Sequence, residues 1–255
     1  KLVIQLSIAT IVYLLGVQID TIFNPFGGVI HLGIFSYPIT LLWIVGISNA
    51  VNFIDGVDGL AGSVITVSSI TLALIAVAVS PAQPITALIA FILAGSMLAF
   101  LTFNFNPAKI FMGDTGSTFL GFMLATLSIQ GVFKSYAVIS FAVPLLILGL
   151  PLFDALFAMI RRILRGQSPM TADRGHLHHR LVDMGFSQKQ TVFILYAISG
   201  VLGITAVLLA ESGVLRALLL VICVLILLLI GSMLGKNSYV HQHQDNRNLT
   251  DDNEI

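Results

Sequence analysis

Apolar runs about as long as a membrane-spanning helix recur along the whole chain. A helix of about 20 apolar residues crosses the hydrocarbon core of a bilayer, and here 57% of the residues are hydrophobic while 9% are charged. So few charged residues could not cover the surface of a soluble protein of this size. The sequence therefore predicts an all-α fold, a polytopic transmembrane helical bundle with about eight spans: 2–19, 38–54, 59–80, 85–103, 116–131, 136–160, 190–210 and 214–234.

The basic residues are distributed unequally between the two sides of the membrane that these spans define. Of the 12 lysines and arginines, only Lys134 and Arg216 fall on one side, and the other ten fall on the opposite side. Cytoplasmic loops of membrane proteins are enriched in lysine and arginine, so the richer side is predicted to face the cytoplasm. The other side carries the loop 20–37, which we expect to be a short amphipathic or hairpin-like loop with a Gly-Gly turn.

The predicted transmembrane domain covers residues 1–235, and a polar tail follows it. The tail, 236–255, has no apolar face and is predicted to be a disordered cytoplasmic segment. The formal net charge of the chain is zero, so no nucleic-acid partner is expected. Nine of the 12 acids and five of the six histidines fall on the predicted cytoplasmic side. Three predicted cytoplasmic loops there are the candidates for a functional site: 52–58, 104–117 and 161–189.

The first loop places acidic residues at the end of an apolar run. Its sequence is NAVNFIDGVDGLAGS, residues 49–63. A carboxylate at bilayer depth costs roughly 2.5–3.5 kcal/mol on insertion scales, so two acids here require an explanation. Gly56 and Gly59 can end the helix at the membrane surface, which lets Asp55 and Asp58 flank one turn. The alternative is an ordinary Asp-Gly turn in which the carboxylates cap backbone N–H groups.

The second loop places one acid among small residues at the start of a span. Its sequence is NFNPAKIFMGDTGS, residues 104–117, and the acid is Asp114. Small residues allow a ligand to approach the backbone closely, and a helix N-terminus favours an anion or a metal-phosphate group. The alternative is that Asp114 serves only as the N-cap of the helix.

The third loop is basic and contains three histidines within four residues, His176, His178 and His179. Imidazole and guanidinium groups donate hydrogen bonds to phosphate oxygens. A zinc site is one alternative, but the loop has no cysteine and its histidines lack the i,i+4 spacing of metal-binding helices. A basic cytoplasmic loop with incidental histidines is another. Asp154 lies in the span before this loop, and Arg161 or another polar group of the bundle is its expected partner.

Together the three loops supply the groups that phosphoryl transfer requires. Carboxylates bind Mg²⁺, and cationic side chains offset the repulsion between two phosphates. A lipid substrate is the simplest reason for placing such a site in a membrane. The competing class is a multi-span transporter or lipid-binding protein, although a transporter would place its polar groups near the middle of the bilayer.

The three motifs, in this order, resemble those of the polyprenyl-phosphate N-acetylhexosamine-1-phosphate transferases, from Lys1 to about residue 210. The resemblance implies transfer of N-acetylhexosamine 1-phosphate, most simply GlcNAc 1-phosphate, from a UDP-sugar to undecaprenyl phosphate. UMP is released, and the product initiates a cell-envelope glycan. The resemblance also implies Mg²⁺ as the cofactor, with Mn²⁺ as the alternative ion, and a site on the cytoplasmic face of the cell membrane. A homodimer is a further expectation.

The resemblance also implies roles for individual residues. Asp114 matches the magnesium-ligating aspartate of the family, and Asn104 and Phe111 match positions that contact the nucleotide. Three residues match the Asn–Asp–Asp loop of the family, the last being a candidate for uracil recognition: Asn52, Asp55 and Asp58. Side chains of the third motif would hold the diphosphate or the sugar: Arg174, His176, His178, His179 and Arg180. The three histidines and the three aspartates are the expected catalytic residues.

The histidine spacing distinguishes two branches of the family. HLHH resembles the UDP-GlcNAc branch, whereas the muramoyl-pentapeptide transferases, which are the alternative, carry three contiguous histidines.

The chain departs from the family in one respect, which concerns an Asp-Asp pair that the family carries shortly before a Lys-Leu-x-x-Gln segment. Here KLVIQ is residues 1–5, so Lys1 matches that substrate-binding lysine and the pair falls outside the chain. We therefore expect about three further spans upstream and no activity from this chain alone; a non-catalytic scaffold is the remaining alternative.

Overall fold

The computed structural model describes residues 1–23, 28–79, 84–133, 142–164, 166 and 176–211, and this part of the chain is mostly helical. A hairpin of two short antiparallel strands, β1 (Thr21–Phe23) and β2 (Val29–His31), precedes the second helix. A 3-10 turn, Gly33–Phe35, follows the hairpin, and a π-helical turn, Ile129–Phe133, extends the fifth helix. The helices are α1 (Leu2–Leu14), α2 (Ser36–Ile54), α3 (Leu60–Val79), α4 (Pro84–Asn104), α5 (Gly113–Ser128), α6 (Ala142–Ile147), α7 (Gly149–Leu164), α8 (Leu177–Asp183) and α9 (Gln188–Glu211).

Within the described residues, four helices are long and apolar enough to cross a membrane: Gly33–Ile54, Leu60–Ala78, Pro84–Asn104 and Gln188–Leu208. They coincide with four of the predicted spans, and α1 is a shorter apolar helix. The chain is thus a helical membrane protein, as predicted, but the expected number of eight spans is not confirmed. The last predicted span, 214–234, and the tail, 236–255, lie outside the described residues.

The predicted span 136–160 contains a break between two helices. α6 ends at Ile147, and α7 begins at Gly149. Pro151 has no N–H group and therefore cannot donate to the carbonyl of Ile147, four residues earlier. The hydroxyl of Ser68 on α3 donates to that carbonyl instead, at 2.9 Å. A hydropathy run cannot reveal such a break, because the residues on both sides of it are equally apolar.

The packing of α2 against α5 brings the first two loops together. The two helices are antiparallel: Trp43 Nε1 donates to Ser128 Oγ at 3.0 Å at one end of their contact, and Asn52 lies against Ser117 at the other. Between these points the backbones approach closely, because a Cβ added to Gly121 would lie 2.7 Å from the Cα atom of Ser48. Behind this pair, α3 packs on α4 and α9 and is largely buried.

The hairpin lies at the end of α2 opposite to the acidic loop. β1 and β2 pair so that Thr21 faces His31 and Phe23 faces Val29. Ser36, the first residue of α2, donates its hydroxyl hydrogen to Asp20 Oδ1 at 3.0 Å, which connects the hairpin to the helix. The paired strands agree with the hairpin-like alternative expected for this loop, and they are the one departure from helical structure among the described elements.

Candidate active site

The amide of Asn52 connects three helices at the C-terminal end of α2. Its Nδ2 donates to Asp114 Oδ1 at 3.1 Å and to Ser117 Oγ at 2.8 Å. Its Oδ1 accepts a hydrogen bond from Lys1 Nζ at 2.5 Å, and this ammonium group lies 3.5 Å from Asp114 Oδ2. Because an amide can donate and accept at once, Asn52 holds a cation and an anion side by side. The structure thus brings together three predicted site residues from three separate parts of the chain.

The carboxylate of Asp114 is open to a ligand. Its side chain is 83% exposed. The hydrogen bond from Asn52 and then the charge of Lys1 lower the pKa of Asp114 below its usual value, so the group is ionised at neutral pH. Asp114 is the second residue of α5, whose N-cap is Met112 and whose N-terminus has no side-chain cap bond. The N-cap alternative therefore does not describe it, although an acid in the first turn is favoured by the helix dipole.

Asp55 adds a second carboxylate near Asp114. It occupies the C-cap position of α2 and is half-buried. Burial and then the negative charge of Asp114 raise the pKa of Asp55 to about 6. Two carboxylates that repel each other in this way are stabilised by a cation.

This arrangement of acids fits a hard divalent cation. Mg²⁺ is commonly held by one or two carboxylates, with water and phosphate oxygens completing its coordination. The exposed oxygens of Asp114, with a second acid nearby, provide such a partial ligand set. In the described part of the chain, no group of three or more His, Cys, Asp or Glu side chains could hold a metal ion by itself. The carboxylates present could therefore supply only part of the coordination of such an ion.

Two predicted site residues, Asp58 and Asn104, connect the first loop to the second. Asp58 Oδ2 accepts hydrogen bonds from the backbone N–H of Ala108 at 3.0 Å and from Asn106 Nδ2 at 3.3 Å. Asn104 is 5% exposed, and its Oδ1 accepts from the N–H of Gly59 at 3.0 Å. These bonds hold the two loops in a defined relative position. The structure thus shows a bracing role for both side chains, and their expected contacts with a nucleotide stay predictions.

The histidine motif packs against the first loop. His176 is the N-cap residue of α8, and its ring stacks on the ring of His178 with centroids 5.8 Å apart and planes within 4°. The ring of His179 follows at 4.2 Å from His178. His176 also contacts Phe53, with ring centroids 6.1 Å apart, and His178 Nε2 lies 3.5 Å from where a Cβ on Gly56 would be. The third predicted loop therefore meets the acidic loop, as the sequence suggested.

His178 is the most enclosed of the three histidines. It is 3% exposed, and within the described residues its buried Nδ1 has no hydrogen-bond partner. Burial and then the charge of His179 lower the pKa of His178 to about 4. Its imidazole is therefore neutral at neutral pH and offers one ring nitrogen as a donor and the other as an acceptor.

The remaining predicted site residues have different surroundings. Phe111 is 76% exposed, so its ring is accessible on the loop that leads into α5. Arg180 lies on α8, and its backbone N–H donates to the carbonyl of His176 at 3.2 Å. Arg174 lies outside the described residues.

Asp154 belongs to the site although it was not among the predicted site residues. Its Oδ2 lies 3.0 Å from His176 Nδ1, and its Oδ1 accepts a hydrogen bond from the N–H of Leu177 at 2.7 Å. Sequence reasoning suggested Arg161 or another polar group of the bundle as its partner, and His176, at the start of α8, is such a group. The sequence could have indicated Asp154 as a site residue, because an acid within an apolar run needs a polar partner.

A cavity of about 470 Å³ leads away from Asp114 between α1, α2 and α5. Lys1 and Asp114 form its polar end, and Gln5, Ser48 and Thr115 add polar groups. The rest of its wall is apolar and includes Ile4, Ile8, Ile44, Phe119 and Phe122. The cavity could not be predicted from the sequence, because its walls come from helices that are far apart along the chain.

Comparisons with known proteins agree with these observations. Residues 1–132 match the sequence model of the family described as "Glycosyl transferase family 4". The chain is 40% identical over 227 residues to the "Probable undecaprenyl-phosphate N-acetylglucosaminyl 1-phosphate transferase" of Bacillus subtilis, an alignment that covers 89% of the chain and 63% of that protein. It is 34% identical over 222 residues to the "Decaprenyl-phosphate N-acetylglucosaminephosphotransferase" of Mycobacterium leprae, covering 79% of the chain and 56% of that protein.

A third relative is similar over a shorter region. The "Phospho-N-acetylmuramoyl-pentapeptide-transferase" of Streptococcus pneumoniae is 43% identical over 128 residues, which is 50% of the chain and 39% of that protein. The chain thus spans 63% of the length of the Bacillus subtilis relative and 56% of the length of the Mycobacterium leprae relative.

Proposed function

Because the chain belongs to glycosyl transferase family 4, we propose that the protein transfers GlcNAc 1-phosphate from UDP-GlcNAc to undecaprenyl phosphate. In this reaction an oxygen of the lipid phosphate attacks the sugar-bearing phosphorus of the donor. The bond from that phosphorus to the bridging oxygen breaks, UMP leaves, and a lipid-diphosphate-sugar forms. The observation that carries the proposal is the Lys1–Asn52–Asp114 cluster at the polar end of an apolar cavity. The Bacillus subtilis relative is named for the same acceptor and sugar phosphate.

Asp114 is the residue that we propose for binding Mg²⁺, with Mn²⁺ as the alternative ion. Its exposed oxygens and the nearby charge of Asp55 support this assignment. When bound, the ion withdraws charge from the donor diphosphate and so favours attack by a second anion. Asn52 and Lys1 orient the Asp114 carboxylate, since both donate to it.

The acceptor would bind with its phosphate at the polar end of the cavity. Lys1 offers an ammonium group there, and the apolar walls suit the first isoprenoid units of a lipid. A lipid and a water-soluble donor can meet at this position because the cavity runs from the helix ends along apolar side chains of α1, α2 and α5. The closeness of Lys1 and Asp114, 3.5 Å apart, would place the two phosphates next to each other.

The donor would bind where the three loops meet. The histidines of α8 and Arg180 are suited to the diphosphate and the sugar, and the exposed ring of Phe111 could stack on the uracil. Asp58 and Asn104 would act on the nucleotide through the loop arrangement that they brace, and Arg174 would add a further cation. We also propose that the site faces the cytoplasm, that the protein forms a homodimer and that its product initiates a cell-envelope glycan.

The test is UMP release in detergent micelles that contain UDP-GlcNAc, undecaprenyl phosphate and Mg²⁺. It is run on the 255-residue chain and on a version extended upstream of Lys1 with the corresponding segment of the Bacillus subtilis relative. We expect UMP and lipid-linked sugar in equal amounts from the extended version, and none after chelation with EDTA. Release only with a UDP-N-acetylmuramoyl-pentapeptide donor would favour the second branch of the family. Folded protein that releases no UMP from either donor would contradict the proposal and would favour a transporter or a non-catalytic scaffold.

A further inference from the structure

Asp154 makes an interaction that neither the family motifs nor the Mg²⁺ site accounts for. Its side chain is 8% exposed, and both oxygens are occupied, one by His176 Nδ1 at 3.0 Å and the other by the N–H of Leu177 at 2.7 Å. These two partners are the N-cap residue and the first residue of α8. One carboxylate on α7 therefore holds both the beginning of α8 and the ring of the first histidine.

We propose that Asp154 is a positioning residue that sets the orientation and the tautomer of His176 for phosphoryl transfer. The inference rests on the proposed function, because it assigns His176 a contact with the donor. A carboxylate only accepts hydrogen bonds, so the ring nitrogen that faces it, Nδ1, must carry a hydrogen. Nε2 is then the one ring nitrogen that remains for a substrate.

The same contact defines the position of the other site residues on α8. The first N–H groups of a helix have no partner within the helix, and His176 makes no side-chain cap bond to supply one. Asp154 supplies that acceptor from a different helix. Because α8 carries His178, His179 and Arg180, a shift of its first turn would move all three. Burial of the pair favours a single arrangement, since leaving a buried hydrogen-bonding group without its partner costs free energy.

The decisive variant is Asp154→Asn, which preserves size and the acceptor for Leu177. If its carbonyl oxygen keeps the bond from Leu177, its amide NH₂ faces the ring of His176, so Nδ1 must become the acceptor and the hydrogen moves to Nε2. In the version extended upstream of Lys1, we expect kcat to fall roughly 10–100-fold, the usual range for partners that orient a site residue. The KM for UDP-GlcNAc should change less than about threefold. Asp183→Asn is the matched control, because Asp183 is an exposed acid at the other end of α8.

A double-mutant cycle separates positioning from a merely structural effect. If Asp154 acts through His176, Asp154→Asn costs little further activity in a His176→Ala background. Equal losses in both backgrounds would mean that Asp154 only supports the fold, and the proposal would be wrong.

The tautomer itself is measured without turnover, by ¹⁵N solid-state NMR of histidine-labelled protein in lipid bilayers. The chain has six histidines, and the His176 signals are identified by their loss in His176→Gln. We expect protonated Nδ1 in the wild type and protonated Nε2 in Asp154→Asn. An unchanged tautomer would overturn the proposal. Protein that shows the tautomer change but releases no UMP would support the pairing and contradict the proposed function, so the two failures are distinguishable.

Discussion

Asp55 and Asp58 stand three residues apart, each before a glycine, and have different surroundings. Asp55 lies near Asp114, which contributes to raising its pKa to about 6, whereas Asp58 accepts hydrogen bonds from Ala108 and Asn106. Spacing within a motif predicted both acids as site residues. It could not separate an acid that faces a second carboxylate from one that braces a neighbouring loop, because the second loop lies about 50 residues further along the chain.

Asp114 is the residue whose charge the proposed reaction depends on most directly. Replacement by Asn keeps an acceptor for Asn52 but removes the negative charge that would hold Mg²⁺. We expect Asp114→Asn to abolish UMP release and to leave the unfolding free energy within about 0.5 kcal/mol of wild type, as is usual for an exposed position. The measurement is UMP release and thermal unfolding of the extended protein, with Asp183→Asn as the matched exposed acid. Release close to the wild-type rate would remove Asp114 from the metal site.

The lowered pKa of His178 predicts that the stability of the protein depends on pH. Burial, His179 and His176 lower its pKa, and Asp154 opposes them, so the value falls from 6.5 in the unfolded chain to about 4. Between these values the unfolded state binds more protons, so this histidine makes the protein less stable as the pH falls from about 6.5 to 4.

We expect His178→Gln to reduce the loss of Tm between pH 7 and pH 4.5, because Gln does not titrate. Titrating groups that do not interact with His178 contribute equally to the wild type and to the variant, so they cancel in the difference. The exposed His31, replaced by Gln, is the matched control. A loss of Tm that is the same in the wild type and in His178→Gln would contradict a depressed pKa at this position.

At the scale of elements, the contact between α2 and α5 determines the distance between Asn52 and Asp114. The positions of the helices could largely be predicted, because the length of an apolar run indicates where a span begins and ends. Their partners could not be, because α1 and α4 are apolar around most of their circumference and no periodic face indicates which side packs. The break at Leu148 also escaped prediction, since it depends on Pro151 and on a hydroxyl from α3.

Gly121 tests the importance of this helix contact. A Cβ at Gly121 would meet backbone atoms of α2 at 2.7 and 3.0 Å, which are less able to move aside than a side chain. We expect Gly121→Ala to lower the unfolding free energy by about 1–3 kcal/mol and to reduce UMP release, because Asp114 lies two turns away on the same helix. Gly95→Ala on α4 is the matched control, since nothing lies within 4 Å of its added Cβ. Equal stability of the two variants would show that α2 and α5 do not pack this closely.

At the scale of the whole molecule, the site depends on segments from distant parts of the chain that meet at one end of the bundle. Lys1 reaches Asp114 across 113 residues, and Asn106 Nδ2 donates to Gln188 Oε1 at 2.7 Å across 82 residues. The three motifs could be predicted to act together because their residue types complement one another in phosphoryl transfer. The bonds that hold the loops could not, because they are made by ordinary polar residues and backbone groups that carry no pattern.

The same contacts predict which exposed residues lie on the same side of the membrane. A labelling experiment can therefore test the fold and its orientation in the membrane separately. Lys109 and Lys189 are exposed and lie near the Asn106–Gln188 bond, so they must be on one side of the membrane, whereas the exposed His31 lies on the hairpin at the other end of α2. The chain has one cysteine, Cys223, and Cys223→Ser provides a background for single-cysteine labelling. We expect a membrane-impermeant maleimide to label His31→Cys in intact bacteria, and Lys109→Cys and Lys189→Cys in inverted vesicles. If the two lysine positions label on opposite sides, the fold is wrong. If all three positions are reversed together, the fold stands and the orientation inferred from the basic residues is wrong.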